Sequence, residues 1–204
     1  MAIDWDRIAP VYEWQVPLER SAVRRLVGLL DVRPDEPVLD VGSGTGAVLR
    51  ELARLAEPPE RAVGIDASAA MLRRAWGVPR RWTLQRADAT ELPFDDASFD
   101  ALTIGYLLHV LAPAERRRAL SEAARVLRPG GRAGVITVAA TGPLSRAALR
   151  PIAAVGRRRG GGALRGLMPF DPRAELNEAG LQPLSAAYVR LGYPSLCVVA
   201  RGVA

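Results

Sequence analysis

The chain has 204 residues, enough for one domain with a substantial core, and it is 49% hydrophobic and 25% charged, as expected of a globular protein. A single cysteine, Cys197, and a single histidine, His109, exclude an internal disulfide, a multi-cysteine metal site and a histidine-rich zinc centre. All 28 basic residues are Arg, and the formal charge of +6 arises wholly after Ala140, where nine Arg stand against three acids.

In chain order, the opening Met1-Ala-Ile-Asp-Trp-Asp6 lacks the basic and apolar regions of a signal peptide, and no run of about 18 apolar residues follows. A cytoplasmic protein is expected. Residues 1–30 read as a helical lid, with a helix from about Leu18 to Leu30. Pro37-Val-Leu-Asp-Val41 is a short buried strand that ends in a Gly-rich turn, and a helix from about Thr45 to Leu55 follows, with Leu49, Leu52 and Ala53 on one face. Arg61–Asp66 is the second strand, after which Ser68 can N-cap a helix containing Met71 and Leu72. Arg81–Ala87 is the third strand and Phe99–Ile104 the fourth. A helix from about Ala114 to Leu127 is stopped by Arg128-Pro-Gly-Gly131, and Arg132–Val138 is the fifth strand. The last two strands lie near Ser185–Arg190 and Ser195–Arg201. The Gly192-Tyr-Pro194 turn between them is too short for a parallel crossover, so they pair antiparallel.

The alternation of apolar runs with helical patterns predicts an α/β fold of the Rossmann-like kind. Seven strands form a mostly parallel sheet with helices on both faces and a C-terminal antiparallel hairpin, in a single domain spanning 1–204. Within it, residues 35–138 form the core, 141–182 a basic insert and 183–204 the hairpin.

Strand, Gly42-Ser43-Gly44-Thr45-Gly46, helix is the strongest local signal. Ligands of open parallel sheets settle beyond the carboxyl ends of strands, and glycines there let backbone N–H groups come close. Without a ligand, the same residues would be a tight turn. Asp66 ends the second strand 20 residues beyond Gly46, the spacing at which a carboxylate accepts ribose hydroxyls. It could instead serve the helix dipole, but Ser68 is the better cap. The spacing G-x-G-x-G departs from the G-x-G-x-x-G of dinucleotide sites. Asp40, two residues before the first glycine, repels a pyrophosphate and suits a ligand bearing an ammonium or a sulfonium. S-adenosyl-L-methionine (SAM) carries both.

Four stretches in order resemble class I SAM-dependent methyltransferases. They are Val38-Leu-Asp-Val-Gly-Ser-Gly-Thr-Gly46, Gly64-Ile-Asp-Ala-Ser68, Arg86–Asp100 and Leu127-Arg-Pro-Gly-Gly131. The resemblance implies that Asp40 and Gly42 face the methionine amino group, that Gly44 and Gly46 serve the sugar and sulfur side, and that Ser43, between Gly42 and Gly44, belongs to the same cofactor-binding turn. It further implies that Asp66 holds the ribose, Asp88 and the Ala89 N–H read adenine, Ala67 and Met71 pack on the adenine face, and Gly105 and Tyr106 line the methyl channel. S-adenosyl-L-homocysteine is the implied product.

Asp6-Arg-Ile-Ala-Pro-Val-Tyr12 is similar to the opening of the ubiquinone/menaquinone-biosynthesis and lipid methyltransferase group, in which an early Tyr closes over SAM. Here Tyr12 is followed by Glu rather than the Asp common there. Trp5, Tyr12 and Trp14 read equally well as aromatic core. His109 stands where an acceptor should sit and is a candidate general base, or a structural residue.

The acid-free stretch Thr141–Met168 carries Arg146, Arg150, Arg157, Arg158, Arg159 and Arg165. On a helix from Pro143, kinked at Pro151, these suit a solvated lid face, peripheral contact with an anionic membrane, or an anionic substrate. Nucleic acid is not expected, since no aromatics interleave the Arg. The function expected is methyl transfer from SAM to a small lipophilic acceptor of quinone, lipid or secondary-metabolite type. The alternatives are a non-catalytic SAM-binding protein and a nicotinamide-dependent oxidoreductase.

Overall fold

Val38–Val41 forms strand β1, buried along its whole length, and the sheet is built outward from it. The other strands are β2 (Ala62–Asp66), β3 (Thr83–Arg86), β4 (Phe99–Gly105), β5 (Leu127–Val138), β6 (Leu181–Val189) and β7 (Ser195–Gly202). The computed structural model describes residues 5–12, 14–139 and 169–203. The seven strands run in the order β3-β2-β1-β4-β5-β7-β6. β1 pairs parallel with β2 (Asp40 opposite Gly64) and with β4 (Asp40 opposite Thr103). β7 lies between β5 and β6 and pairs antiparallel with both, as the short turn before it requires. The strand order reverses between β1 and β4, so a crevice opens beyond their carboxyl ends.

Side chains alternate across the pleat and feed two cores. Leu39, Val41, Leu102 and Ile104 pack on one face with Leu120 and Ala123 of α5 (Pro113–Val126) and Leu176 of α6 (Arg173–Glu178). Val38, Ala101 and Ile136 face the other side, against α2 (Val16–Leu30) and α3 (Ala47–Leu52). The buried stripe of α2 is Glu19, Ala22, Val23, Leu26, Val27 and Leu30, a helical spacing interrupted by one acid. Arg132 ties the end of α2 to the sheet, donating to Leu30 O at 2.8 Å and to the buried Glu36.

Several boundaries differ from expectation for local reasons. The N-terminal region holds two helices, α1 (Trp5–Tyr12) and α2, because Pro17 sits in the first turn of α2 and favours a fresh start there. The glycine-turn helix begins at Ala47 rather than Thr45, since Gly46 has φ +82° and is not helical. Arg128-Pro-Gly-Gly131 does not separate helix from strand. It forms a bulge inside β5, with Phe99 opposite Leu127 but Ala101 opposite Arg132. β6 begins at Leu181, four residues earlier than read from the sequence. The basic segment, with Arg146, Arg150, Arg157, Arg158 and Arg159, and the helix expected from Pro143 lie outside the described residues. No described helix is long and apolar enough to cross a membrane.

Candidate functional site

The turn after β1 is fixed by left-handed glycines. Gly42 has φ +71°, and a Cβ there would sit 3.0 Å from Leu107 Cδ2. Gly46 has φ +82°, and a Cβ there would sit 2.9 Å from Val78 Cγ2. Gly44, also left-handed, faces open space. Its N–H donates to Asp66 Oδ2 at 2.9 Å, while Ser68 N–H donates to Asp66 Oδ1 at 2.8 Å. One carboxylate thus joins the loops after β1 and β2 and keeps further acceptor capacity at the crevice. Burial pushes Asp66 above the usual carboxylate range. Its two N–H bonds oppose that rise, and nearby Asp6 adds to it.

Ser68 caps α4 (Ala69–Leu72) as expected, accepting from Met71 N–H at 3.1 Å. Its hydroxyl also donates to Asp6 of α1, and Ala70 N–H donates to the same oxygen at 3.3 Å. α1 is thereby laid across α4, with Ala9, Ala70 and Met71 packed between Trp5 and Tyr12. Asp6 was not expected in this role, and nothing local in the sequence marks it.

A cavity of about 720 Å³, counting its open mouth, lies beyond the strand ends. Asp66, Ala67, Met71, Asp88 and Ala89 line it on one side, with Gly42 and Gly44 on its floor. Trp5 and Tyr12 face it from α1, and Gly105, Tyr106, Leu107, Val110 and Leu111 form an apolar end. Asp88 Oδ1 is engaged by Thr90 N–H and Oγ1, each at 2.8 Å, which orients the carboxylate. Tyr106 adopts φ +53°, a conformation that costs a non-glycine residue on the order of 1 kcal/mol. Its hydroxyl lies 2.6 Å from Ser195 Oγ, which itself donates to Tyr193 O, so Tyr106 is the donor.

A second, smaller cavity shares Tyr12, Gly42, Gly44, Gly105 and Tyr106 with the first, and Glu19, Asp40, Ser43 and Thr45 also line it. Asp40 is 1% exposed. It accepts from Thr103 Oγ1 at 2.7 Å through Oδ1, while Oδ2 has no partner among the described residues. Burial raises it to about 7; Thr103 opposes the rise and Asp66 adds to it. Ser43 Oγ and Thr45 Oγ1 are likewise buried without partners. Orphaned polar atoms around an acidic pocket are what a polar, cationic ligand would satisfy. Glu19 is 2% exposed and accepts from Gln15 Nε2 at 2.7 Å and Tyr12 OH at 3.3 Å. Its signal was available: it is the one acid in the apolar stripe of α2.

Of the expected residues, Tyr12, Asp40, Gly42, Ser43, Gly44, Asp66, Ala67, Met71, Asp88, Ala89, Gly105 and Tyr106 are brought together around the two connected cavities. Gly46 shapes the turn from behind, against Val78. His109 is not brought there. It lines neither cavity and packs edge-on to Tyr106, with ring centroids 6.1 Å apart, and its buried Nδ1 has no partner among the described residues. Burial, reinforced by Arg116, lowers it to about 4, which makes it a weak base.

Residues 38–131 match the model of a family described as a methyltransferase domain. The chain is 38% identical over 129 residues to a demethylmenaquinone methyltransferase of Symbiobacterium thermophilum, covering 60% of this chain and 50% of that protein. It is 34% identical over 181 residues to the 27-O-demethylrifamycin SV methyltransferase of Amycolatopsis mediterranei, covering 83% and 63%. The chain spans between a third and about three fifths of the length of the curated relatives it matches. It also superposes on a chain from the complex between the Haloferax volcanii Trm112 methyltransferase activator and a methyltransferase, with a TM-score of 0.78, 18% identity and full coverage of both chains, a likeness of fold. Residues 38–131 thus carry the match to a methyltransferase domain, and over this region the chain is similar to demethylmenaquinone and ubiquinone/menaquinone-biosynthesis methyltransferases.

Proposed function

We propose that the protein is a cytoplasmic enzyme that transfers the methyl group of SAM to a small lipophilic acceptor and releases S-adenosyl-L-homocysteine. The observation that carries this reading is the buried Asp40, one oxygen of which has no donor among the described residues, in a small cavity that shares Tyr12, Gly42, Gly44, Gly105 and Tyr106 with the larger one lined by Asp66, Asp88 and the apolar Leu107, Val110 and Leu111. A pyrophosphate would be repelled there, whereas an ammonium is attracted.

The residues present fit SAM. Asp40 receives the amino group, Asp66 the ribose hydroxyls, and Asp88 with the Ala89 N–H the adenine edge, while Ala67 and Met71 cover the adenine face. SAM supplies a methyl group bonded to a sulfonium that leaves as a neutral thioether, so no protein nucleophile is needed. The chain's own contribution is to fix the cofactor, orient the acceptor and exclude water. Trp5 and Tyr12 cover the cavity from α1. Tyr106, held in its left-handed conformation by its N–H bond to Ile136 O at 2.8 Å and its hydroxyl bond to Ser195, shapes the wall beside the acceptor.

An acceptor with a flat apolar body suits Tyr106, Leu107, Val110 and Leu111. Relatives named for demethylmenaquinone and 27-O-demethylrifamycin SV support the same class, a quinone-like or secondary-metabolite-like acceptor. The test is to incubate the purified chain with methyl-labelled SAM and a panel of reduced naphthoquinones, hydroxylated aromatics and polar amines, alongside calorimetry with SAM and with NAD. Label is expected in the aromatic acceptors and heat of binding with SAM alone. Tight SAM binding without turnover on any acceptor would make the protein a SAM-binding module instead, and binding of NAD would reject the cofactor assignment.

A further inference from the structure

Glu19 is the feature that the reading above leaves unused. It is a carboxylate on the buried face of a helix, yet no Arg or His pairs with it among the described residues. Both of its hydrogen bonds fall on Oε1, from Gln15 and Tyr12, and Oε2 takes none among the described residues. Among the described residues, the smaller cavity that it lines contains Asp40 with its unpartnered oxygen and no cationic side chain. Two carboxylates buried at one small cavity are costly while ionised; burial raises both above the usual range, and a cation entering between them would favour the ionised pair.

We propose that Glu19 is a second acid for the ammonium of the cofactor's amino-acid end, facing Asp40 across the smaller cavity. This rests on the SAM-binding reading given above and extends it to a residue of α2 outside the glycine-turn motif. Glu19 also holds Tyr12, which lines both cavities, so occupation of the ammonium position and placement of the aromatic cover meet at one side chain. A purely structural Glu19, anchoring Tyr12 and Gln15 and nothing more, is the competing role. The two roles part company on ligands with and without an ammonium.

The experiment is calorimetric titration with S-adenosyl-L-homocysteine and with 5′-methylthioadenosine, which keeps the nucleoside and thioether but has no amino acid. Wild type, Glu19→Gln and Tyr12→Phe are compared. Gln preserves an acceptor for Tyr12 while removing the charge. The Glu19→Gln variant is expected to bind S-adenosyl-L-homocysteine about tenfold or more weakly, the loss of a charged hydrogen bond, and 5′-methylthioadenosine within about twofold of wild type. Tyr12→Phe is expected to keep the wild-type ratio between the two ligands. Retained 5′-methylthioadenosine binding also shows that Glu19→Gln is folded. Equal weakening of both ligands in Glu19→Gln, no weakening of either, or a Tyr12→Phe variant that reproduces the altered ratio would each overturn the assignment. If wild type binds neither ligand, the SAM reading itself falls and this inference falls with it. If wild type binds both and only the effect of Glu19 is missing, the SAM reading stands.

Discussion

The cavity has two kinds of wall. The rim at the ends of β1 and β2 is held by backbone: left-handed glycines, the Gly44 N–H on Asp66, the Ser68 N–H on the same carboxylate. The wall from α1 and α2 is held by side chains reaching across the molecule, Asp6 to Ser68 over 62 positions of sequence and Tyr12 to Glu19 over seven. Backbone geometry demands particular residues at particular spacings. Side-chain docking accepts many residues, provided that the partner is suitable. On the reading proposed above the first wall binds and the second covers, Glu19 alone doing both, and substitutions in the two should differ in kind.

Asp66→Ala should show the largest effect. It unties Gly44 N–H and removes the proposed acceptor for the ribose, so SAM affinity should fall roughly a hundredfold, the loss of two hydrogen bonds to a charged group. Circular dichroism should remain that of a folded chain. SAM affinity within a few-fold of wild type would mean that the sugar is not held at this rim.

Gly46→Val comes next and acts on stability. The φ of +82° is strained for a β-branched residue, and the 2.9 Å approach to Val78 adds overpacking; together they should cost about 3 kcal/mol in denaturant unfolding. A matched Ala174→Val change on the exposed face of α6 should cost a fraction of that. An unchanged midpoint for Gly46→Val would show that the turn adapts and that the rim is less rigid than drawn.

The same contrast explains how far the sequence was legible. The seven strands, the antiparallel hairpin, the Ser68 cap and the glycine turn follow from local rules, because each leaves residues of a required type at a required place, whereas the order of the strands in the sheet does not. The start of α3 was missed by two residues only because Gly46 ends the turn rather than opening the helix. Asp6 and Glu19 were missed because their partners are set by tertiary packing; only the presence of an acid in the α2 stripe hinted at Glu19. His109 differs from both: its position after β4 suggests the acceptor site, while its imidazole packs edge-on to Tyr106 and lines neither of the two described cavities.

A third prediction concerns pH and the innermost acid. Burial raises Asp40 to about 7, and it must be ionised to receive an ammonium. Ligand binding stabilises the ionised form, so SAM affinity should fall as pH drops through about 7, toward tenfold per unit below it. Above about 8 the ligand's own α-amino group loses its proton, and affinity should fall again. Asp40→Asn should lower affinity at pH 7.5 and flatten the acidic limb, as read by calorimetry. A wild-type affinity that does not change between pH 6 and 7.5 would remove Asp40 from the binding site.

On the covering wall the effects should be smaller. Asp6 stays ionised at neutral pH, since bonds from Ser68 and Ala70 N–H hold its carboxyl below the usual range. Asp6→Ala frees α1 from α4 while leaving every group on the β1–β2 rim in place. The KM for SAM should rise roughly threefold, and trypsin should cut faster at Arg7. A loss as large as that of Asp66→Ala would mean that cover and rim form one unit.

His109 should matter least to the proton balance of the reaction. A base of pKa about 4 is already neutral throughout the physiological range, so its availability does not change between pH 6 and 9, and its driving force for removing a proton from a phenol of ordinary acidity is small. Its remaining contribution is steric, as an edge against Tyr106, whose left-handed backbone needs support from all sides. His109→Gln should therefore change kcat by no more than a few-fold and leave the shape of its pH profile intact. His109→Ala, which removes the edge contact, should lower kcat further at every pH by the same factor. A drop of a hundredfold or more in His109→Gln, together with loss of a pH limb, would restore the imidazole to proton transfer and place the acceptor behind Tyr106 rather than in front of it.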